Sequence, residues 1–286
     1  MEGCELRVLI TGAKGQLGQA LERALYEDEV AAFGHADLDV TDAEAVHEAI
    51  AYEKPDVVIH AAAWTDTAGC EKDPGRAIEV NGHGAGNVAK ACRATGASLV
   101  YISSNEVFDG EASEPYAEDA ETNPVNGYGR SKLEGERQVS DTTDRHQIVR
   151  TSWLYGPGRV SFPEKILAAA REHGRLKLVT DEIASPTWTV DLAQAVSRLI
   201  RYEHWGVFHL TNEGYASRKE WAEEVLRLAM MGNVPAEEAT QAEFGGPYRK
   251  PVFSALANNR AARLGITLRP WRQALLDHFR SVVRRG

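Results

Sequence analysis

Tyr128 and Lys132 are separated by three residues, and this spacing can support proton transfer. Residues four apart on a helix lie one above the other on the same face, so the phenol and the ammonium can cooperate. A free phenol has a pKa of about 10 and is a poor proton donor and acceptor at neutral pH. A nearby ammonium favours the phenolate, so we expect Lys132 to lower the pKa of Tyr128. The pair indicates acid–base chemistry, and an ordinary helix surface is the alternative.

A glycine-rich turn follows the first predicted strand, which covers residues 6–11. Gly12, Gly15 and Gly18 come next, and residues 19–26 then have helical spacing. In a strand–turn–helix context, glycines allow the backbone to approach a pyrophosphate, which the N-terminus of the helix faces. The turn therefore predicts a dinucleotide site, with a plain glycine-rich turn as the alternative.

Strands and helices alternate through the first half of the chain. Apolar runs of strand length occur at 30–34, 57–60, 98–103 and 147–151, with helical segments between them. Thr41 followed by Glu44 is predicted to be a capping box that starts one helix, and Ser217 followed by Glu220 starts another. This order predicts an α/β fold with a Rossmann-like, doubly wound parallel sheet. We expect residues 1–155 to form the dinucleotide-binding domain, with further sheet elements later in the chain, and residues 156–286 to form mainly a smaller C-terminal substrate-binding lobe.

Composition limits the class of protein. The chain has 286 residues, 43% hydrophobic and 26% charged, which is typical of a soluble globular protein. Its net charge of −10 argues against nucleic acid as a partner, because binding to phosphates needs clustered Lys and Arg. Three widely spaced cysteines indicate a reducing compartment, and neither a signal peptide nor a membrane-spanning run is found. We expect a cytoplasmic protein that does not associate with membranes.

The residues after the second and third strands bear on the cofactor. Gly34 or His35 stands where an acidic residue would bind the ribose 2′-hydroxyl of NAD, and Lys14 adds positive charge to the glycine-rich turn. This favours NADPH, with NADH possible, and Asp39 and Val40 are suited to contact the adenine. Small residues at 61–63 leave room for a cofactor against the strand ends, with simple close packing as the alternative.

The motifs together resemble a known family. The extended short-chain dehydrogenases/reductases resemble this chain in the glycine-rich turn, in Ser104 and in the Tyr128–Lys132 pair. The Ser104 hydroxyl lies 24 residues before Tyr128, which is the spacing expected in that family. Residues 38–42, 150–156, 181–187 and 249–254 further resemble the dTDP-4-dehydrorhamnose reductases. The resemblance extends from the first strand to the last helix. It implies an oxidoreductase of dTDP-rhamnose and cell-surface polysaccharide biosynthesis, which reduces dTDP-4-dehydro-L-rhamnose to dTDP-L-rhamnose with a nicotinamide cofactor.

The resemblance also implies roles for single residues. Tyr128 would give a proton to the C4 oxygen, Lys132 would hold the nicotinamide ribose, and Ser104 would hydrogen-bond the developing alkoxide. Trp153 would pack against the sugar, with a place in the core as its alternative, and Ser104, Asn105 and Glu106 would complete the substrate side. The cofactor-binding set would be Gly12, Lys14, Gly15, Gln16, Leu17, Gly18, Asp39, Val40, Ala61, Ala62, Ala63, Thr65, Tyr128 and Lys132.

The chain departs from the family near the sugar. Asn105 stands in place of an aspartate, Glu106 in place of an aromatic residue, and Thr67-Ala68 in place of Val-Asp. The alternatives are therefore a reductase of another 4-keto-6-deoxy sugar nucleotide, a sugar-nucleotide dehydratase, and a non-catalytic subunit like the β subunit of methionine adenosyltransferase. Some members of the family form dimers and use Mg²⁺. We predict no metal ligands in this chain and leave both Mg²⁺ dependence and the choice between monomer and homodimer open.

Overall fold

A parallel sheet of six strands forms the centre of the computed structural model, which describes residues 5–244, 246 and 248–283. The strands are β1 (Arg7–Thr11), β2 (Glu29–Phe33), β3 (Val57–His60), β4 (Ser98–Ser104), β5 (His146–Thr151) and, later in the chain, β10 (Gly206–His209). Their order across the sheet is β10-β5-β4-β3-β1-β2, and every neighbouring pair is parallel. The predicted doubly wound parallel sheet is confirmed.

Helices cover both faces of this sheet. They are α1 (Gln16–Ala24), α2 (Ala43–Glu53), α3 (Thr67–Lys72), α4 (Pro74–Ile78), α5 (Gly84–Thr95), α6 (Gly127–Thr142), α7 (Phe162–His173), α8 (Thr189–Leu199), α9 (Arg218–Leu228), α10 (Gln241–Phe244), α11 (Asn259–Arg263) and α12 (Trp271–Val283). A π-helical segment, Glu79–His83, joins α4 to α5 and adds a wider turn between them.

Alternation along β1 shows how the two faces are filled. Val8 and Ile10 pack with α1 and α8, whereas Leu9 between them packs with α2 and α5. Strands buried on both faces are continuous apolar runs, because each face of the sheet is covered by helices. Since the strands are parallel, the carboxyl ends of β1, β3, β4 and β5 lie along one edge of the sheet, where α/β proteins bind their ligands.

Helix caps confirm one predicted capping box and correct the other. Ser217 and Glu220 exchange hydrogen bonds at the start of α9, as the sequence predicts. The prediction for Thr41 is wrong, because Asp42 caps α2 by accepting from the main-chain N–H groups of Glu44 and Ala45. Thr41 instead donates to the carboxylate of Asp39. Asp42 lies one position after Thr41, and its carboxylate is a stronger acceptor than a threonine hydroxyl for the N–H groups at the start of α2.

Short strand pairs follow the main sheet in the C-terminal half. They are β6 (Leu154–Tyr155) with β9 (Thr187–Trp188), β7 (Leu176–Val179) with β12 (Ala236–Ala239), and β8 (Ile183–Ala184) with β11 (Ala216–Ser217). The buried tryptophans Trp188, Trp221 and Trp271 form the core of this part.

Within the ranges described, no helix is both long and apolar enough to cross a membrane.

Candidate active site

The glycine-rich turn leaves β1 and packs closely against the end of β3. Gly12 has a φ of +74°, and a Cβ atom there would lie 2.6 Å from the main-chain nitrogen of Ala62. A Cβ atom on Gly18 would lie 2.4 Å from the carbonyl oxygen of Gly12. Glycine is therefore required at both positions by close backbone approach and, at Gly12, by the positive φ. Helix α1 then begins with no acidic residue in its first turn, which leaves its N-terminus suited to an anion.

Gln16 joins this turn to a distant loop. Its side-chain amide donates to the carbonyl oxygens of Gly156 at 2.7 Å and Arg159 at 3.2 Å. The side chain is thus committed to a contact within the protein, and a cofactor would meet the main chain of Gln16 at the start of α1. Residues 156–161, which we call the bridging loop, thereby form part of the wall beside the glycine-rich turn.

Two adjoining cavities lie at the carboxyl edge of the sheet. One, of about 660 Å³, is named here the Tyr128 cavity, and the other, of about 840 Å³, the Asp39 cavity. They share Gly12, Lys14, Gly15, Ala61 and Ala63, so together they form an extended groove over the glycine-rich turn. A groove of this shape fits a dinucleotide with a second ligand at one end.

The structure brings the predicted site residues to these two cavities. The Tyr128 cavity is lined by Gly12, Lys14, Gly15, Gln16, Leu17, Gly18, Ala61, Ala63, Thr65, Ser104, Asn105, Glu106, Tyr128, Lys132 and Trp153. The Asp39 cavity adds Asp39, Val40 and Ala62. Their roles stay predictions, since proximity to a cavity does not identify the ligand.

The end of β2 carries no carboxylate directed at a ribose. Asp37 accepts a hydrogen bond from the main-chain N–H of Gly34 at 2.8 Å, and Asp39 is engaged by Thr41. The side chain of Lys14 packs over Gly34, where a Cβ atom would lie 2.7 Å from its Cγ. A lysine stem therefore occupies the space beside the strand end where NAD-binding folds place an acidic residue.

Tyr128 lies in the first turn of α6, and local packing fixes that turn. Asn126 caps the helix by accepting from the main-chain N–H of Gly129 at 2.8 Å, and the carboxylate of Glu71 accepts from Gly127. A Cβ atom on Gly129 would lie 2.0 Å from the carbonyl oxygen of Glu106. The helix start can approach the segment after β4 only because residue 129 is glycine.

Burial raises the pKa of Tyr128 well above its usual value, and the charge of Glu106 adds to this effect, whereas the Ser104 hydroxyl opposes it. Lys132 is not among the groups that shift this pKa, and burial lowers the pKa of its own ammonium to about 7. The predicted lowering of the Tyr128 pKa by Lys132 is therefore wrong for the protein alone. A phenol with a raised pKa stays protonated at neutral pH, although it is a weaker acid than a free phenol.

Glu106 and Asn105 are held by parts of the chain that sequence reasoning did not connect to them. Glu106 accepts from the side-chain amide of Asn126 at 2.6 Å, and the amide of buried Asn105 donates to Ser254 at 2.7 Å. Burial raises the pKa of Glu106, and Asn126 opposes this. Both residues line the Tyr128 cavity, and each side chain already forms a hydrogen bond within the protein.

A charged group beyond Glu106 was not predicted. Buried Glu182 accepts from Arg218 at 2.7 Å and from Lys250 at 3.1 Å. Arg218 also lies 3.6 Å above the ring of Trp153. Residues 181–187 and 249–254 lie in segments that resemble the reductase family, but no spacing in the chain pairs Glu182 with positions 36 and 68 residues away.

Trp153 follows β5 with an unusual backbone. Its φ is +44°, in the left-handed region that costs energy for a residue with a side chain. The ring stacks on Trp221 at 5.4 Å between centroids, with Arg218 over it. Trp153 therefore both lines the Tyr128 cavity and packs on the aromatic core of the C-terminal half.

The bridging loop ends in a hydrogen-bonded cap on α7. Glu164 accepts from the main-chain N–H of Ser161 at 2.9 Å, from its hydroxyl at 2.5 Å, and from His278 on α12 at 2.8 Å. Burial alone would raise the pKa of Glu164, but the hydrogen bonds from His278 and Ser161 outweigh it and lower the pKa to about 2. One carboxylate thus fixes both the end of the loop and its contact with the last helix.

We expect Glu164→Gln to lower the free energy of unfolding by about 1–2 kcal/mol at neutral pH, because charge-assisted hydrogen bonds are lost. A lowered pKa in the folded state gives stability that is complete above the ordinary value of 4.5 and is lost as the pH falls towards about 2. The difference in the free energy of unfolding between variant and wild type should therefore become smaller as the pH is lowered. Thermal unfolding at several pH values measures this difference. Exposed Glu48→Gln is the matched control. A gap that is absent at neutral pH, or constant with pH, would contradict this role.

No group of three or more His, Cys, Asp or Glu side chains arranged to hold a metal ion occurs among the described residues.

Known proteins resemble the chain over nearly its whole length. The family described as the RmlD substrate binding domain matches residues 6–283. The dTDP-4-dehydrorhamnose reductase of Streptomyces griseus is 37% identical, with 98% of this chain and 95% of that protein covered. A dTDP-4-keto-6-deoxy-D-glucose reductase of Streptomyces niveus is also 37% identical, with 96% of each covered.

A solved structure agrees with both. The dTDP-4-dehydrorhamnose reductase of Bacillus anthracis, in complex with NADP, superposes with a TM-score of 0.93 at 35% identity, covering 97% of this chain and 100% of that one. The resemblance inferred from the sequence motifs is confirmed. The chain belongs to the dTDP-4-dehydrorhamnose reductase family, within the extended short-chain dehydrogenases/reductases.

Proposed function

We propose that this protein reduces the 4-keto group of dTDP-4-dehydro-L-rhamnose to give dTDP-L-rhamnose, with NADPH as the preferred cofactor. The observation that carries the proposal is the meeting of Ser104, Tyr128 and Lys132 in one cavity beside the glycine-rich turn. Relatives that cover almost the whole chain bear the names of such reductases. We further propose that it acts in the cytoplasm, since Cys70 and Cys92 are buried free thiols.

The side chains divide the chemistry of a carbonyl reduction among them. A bound nicotinamide supplies the hydride. Tyr128 gives its phenolic proton to the C4 oxygen, and its raised pKa keeps that proton in place at neutral pH. The hydroxyl of Ser104 donates a hydrogen bond to the oxygen as negative charge develops. Lys132 binds the ribose beside the nicotinamide and orients it.

Gly34 and Lys14 support the preference for NADPH. The stem of Lys14 packs beside Gly34 at the end of β2, where the carboxylates of Asp37 and Asp39 are engaged by the main-chain N–H of Gly34 and by Thr41. The ammonium of Lys14 would stabilise the charge of the 2′-phosphate, a group that NADH lacks.

A second candidate function is reduction of another 4-keto-6-deoxy sugar nucleotide. It is favoured by Glu106, whose carboxylate faces the Tyr128 cavity, and by the 37% identity to a reductase named for a different sugar. A dehydratase is supported less, because residue 105 is an amide held by Ser254 and supplies no acid. A purely regulatory subunit would need none of Ser104, Tyr128 and Lys132.

The test is oxidation of NADPH, and separately NADH, in the presence of enzymatically prepared dTDP-4-dehydro-L-rhamnose. We expect rapid oxidation that yields dTDP-L-rhamnose, identified by mass spectrometry and NMR, with a higher kcat/KM for NADPH. Cofactor binding without oxidation would reject this substrate, and other dTDP-4-keto-6-deoxy sugars would be compared next. Turnover of any 4-keto sugar nucleotide would exclude a regulatory subunit.

A further inference from the structure

Lys132 carries a buried ammonium without an ordinary polar partner. The side chain belongs to a residue that is 1% exposed, and within the described ranges neither a hydrogen bond nor an ion pair reaches its Nζ. The Nζ atom instead lies 4.1 Å from the centroid of the Tyr101 ring. A cation at this distance over an aromatic ring is attracted to it electrostatically, and more strongly where water is excluded.

Tyr101 is itself fixed from several sides. It is fully buried on β4, and its hydroxyl donates to the carbonyl oxygen of Asn81 at 3.1 Å and lies 3.4 Å from that of Lys132. The hydroxyl fits beneath α6 because residue 135 is glycine, where a Cβ atom would come within 2.1 Å of it. His60 stacks on the ring at 5.7 Å with an angle of 21° between planes.

We propose that Tyr101 is a positioning residue, whose ring holds the Lys132 ammonium charged and in place for the cofactor. Tyr101 does not itself line either cavity and acts only through Lys132. The inference rests on the proposed function only in taking Lys132 as the residue that binds the nicotinamide cofactor. It assigns to the third residue before Ser104 on β4 a part in the site that no motif indicates.

Several other groups act on the same ammonium. Glu136 on α6 and Cys70 on α3 favour its charged form, and Tyr128 lies one turn earlier on the same helix. His60 on β3 is neutral at physiological pH, since burial and the nearby Lys132 lower its pKa to about 3. Burial opposes the charge and brings the pKa of Lys132 to about 7. Loss of the Tyr101 ring should therefore lower the pKa of Lys132 further, so that the neutral amine predominates from a lower pH.

The experiment measures the affinity for NADH as a function of pH, by quenching of protein fluorescence without any sugar nucleotide. NADH is the probe because it lacks the 2′-phosphate, which titrates in the same range. In the wild type we expect affinity to fall above about pH 7, as Lys132 loses its proton. Tyr101→Leu should move that midpoint down by about one pH unit, whereas Tyr101→Phe, which keeps the ring, should leave it in place. Lys132→Met should abolish the pH dependence of NADH affinity, which would assign that dependence to Lys132.

A graded series covers the case in which Tyr101→Leu does not fold. Phenylalanines with increasing fluorination at position 101 keep the shape of the ring but weaken its attraction for a cation, so the midpoint should fall stepwise. A midpoint unchanged along that series would overturn the proposal. So would a Tyr101→Phe midpoint equal to that of Tyr101→Leu, because the hydroxyl bonds would then hold Lys132. Since no sugar is turned over, these outcomes are independent of whether the proposed substrate is correct.

Discussion

Tyr128→Phe is expected to lower kcat for the 4-keto sugar nucleotide by about 10²–10⁴-fold, because the variant loses the proton that the C4 oxygen must receive. The substitution removes one oxygen atom and leaves the ring that packs at the start of α6. Cofactor affinity and thermal stability should therefore change little. The measurement is single-turnover oxidation of NADPH, with cofactor binding and melting temperature determined in parallel.

Tyr26→Phe provides the matched control for this substitution. Tyr26 is 79% exposed beyond the end of α1, and among the described residues its hydroxyl bonds only the neighbouring Glu27. Loss of this hydroxyl should therefore leave turnover at the wild-type rate. If Tyr128→Phe retained turnover close to that of Tyr26→Phe while folded, another group would have to supply the proton. Ser104 would then be the next candidate, since its hydroxyl faces the same cavity.

Arg150→Met is expected to lower the free energy of unfolding by about 3–5 kcal/mol, because it leaves a buried carboxylate without its partner. Arg150 makes two hydrogen bonds to Glu136, at 2.6 Å and 2.9 Å, and both side chains are 6% exposed. Ser103 donates to the same carboxylate at 2.5 Å. Equilibrium unfolding in urea, followed by circular dichroism, measures the change.

Two further variants distinguish the destabilisation caused by an unpaired buried charge from that caused by losing an arginine. Arg227→Met removes a comparable two-point pair with Glu224 at the surface, where Arg227 is 65% exposed, and should cost less than about 1 kcal/mol. Adding Glu136→Leu to Arg150→Met should restore much of the lost stability, since no unpaired charge then stays buried. A cost for Arg150→Met no greater than that for Arg227→Met would show that the pair contributes little.

Local chemistry explains why most of the sheet could be predicted. The strands are apolar runs, several of them ended by glycine or small polar residues, and the predicted strand at residues 57–60 has the same limits in the structure. The glycine-rich turn and the Tyr128–Lys132 pair are also local, since each depends on residues within one or two helical turns. These features were available to sequence reasoning because their cause lies in neighbouring residues.

Long-range contacts account for what the sequence did not predict. The side-chain amide of Asn126 donates to Glu106, and that of Asn105 donates to Ser254, which is 149 residues away. The pKa of Tyr128 depends on burial and on Glu106, neither of which the spacing to Lys132 reveals. The π-helical turn at Glu79–His83 likewise has no pattern of its own and follows from packing against α6.

The contact of Gln16 with the bridging loop has a consequence for how such enzymes change substrate. Because one amide side chain holds the carbonyl oxygens of Gly156 and Arg159, the loop is tied to the glycine-rich turn as well as lining the Tyr128 cavity. An insertion or deletion in residues 156–161 would therefore disturb the glycine-rich turn whatever its effect on the Tyr128 cavity. New specificities in this lineage should therefore arise by point substitution at positions such as 106, with the length of this loop preserved.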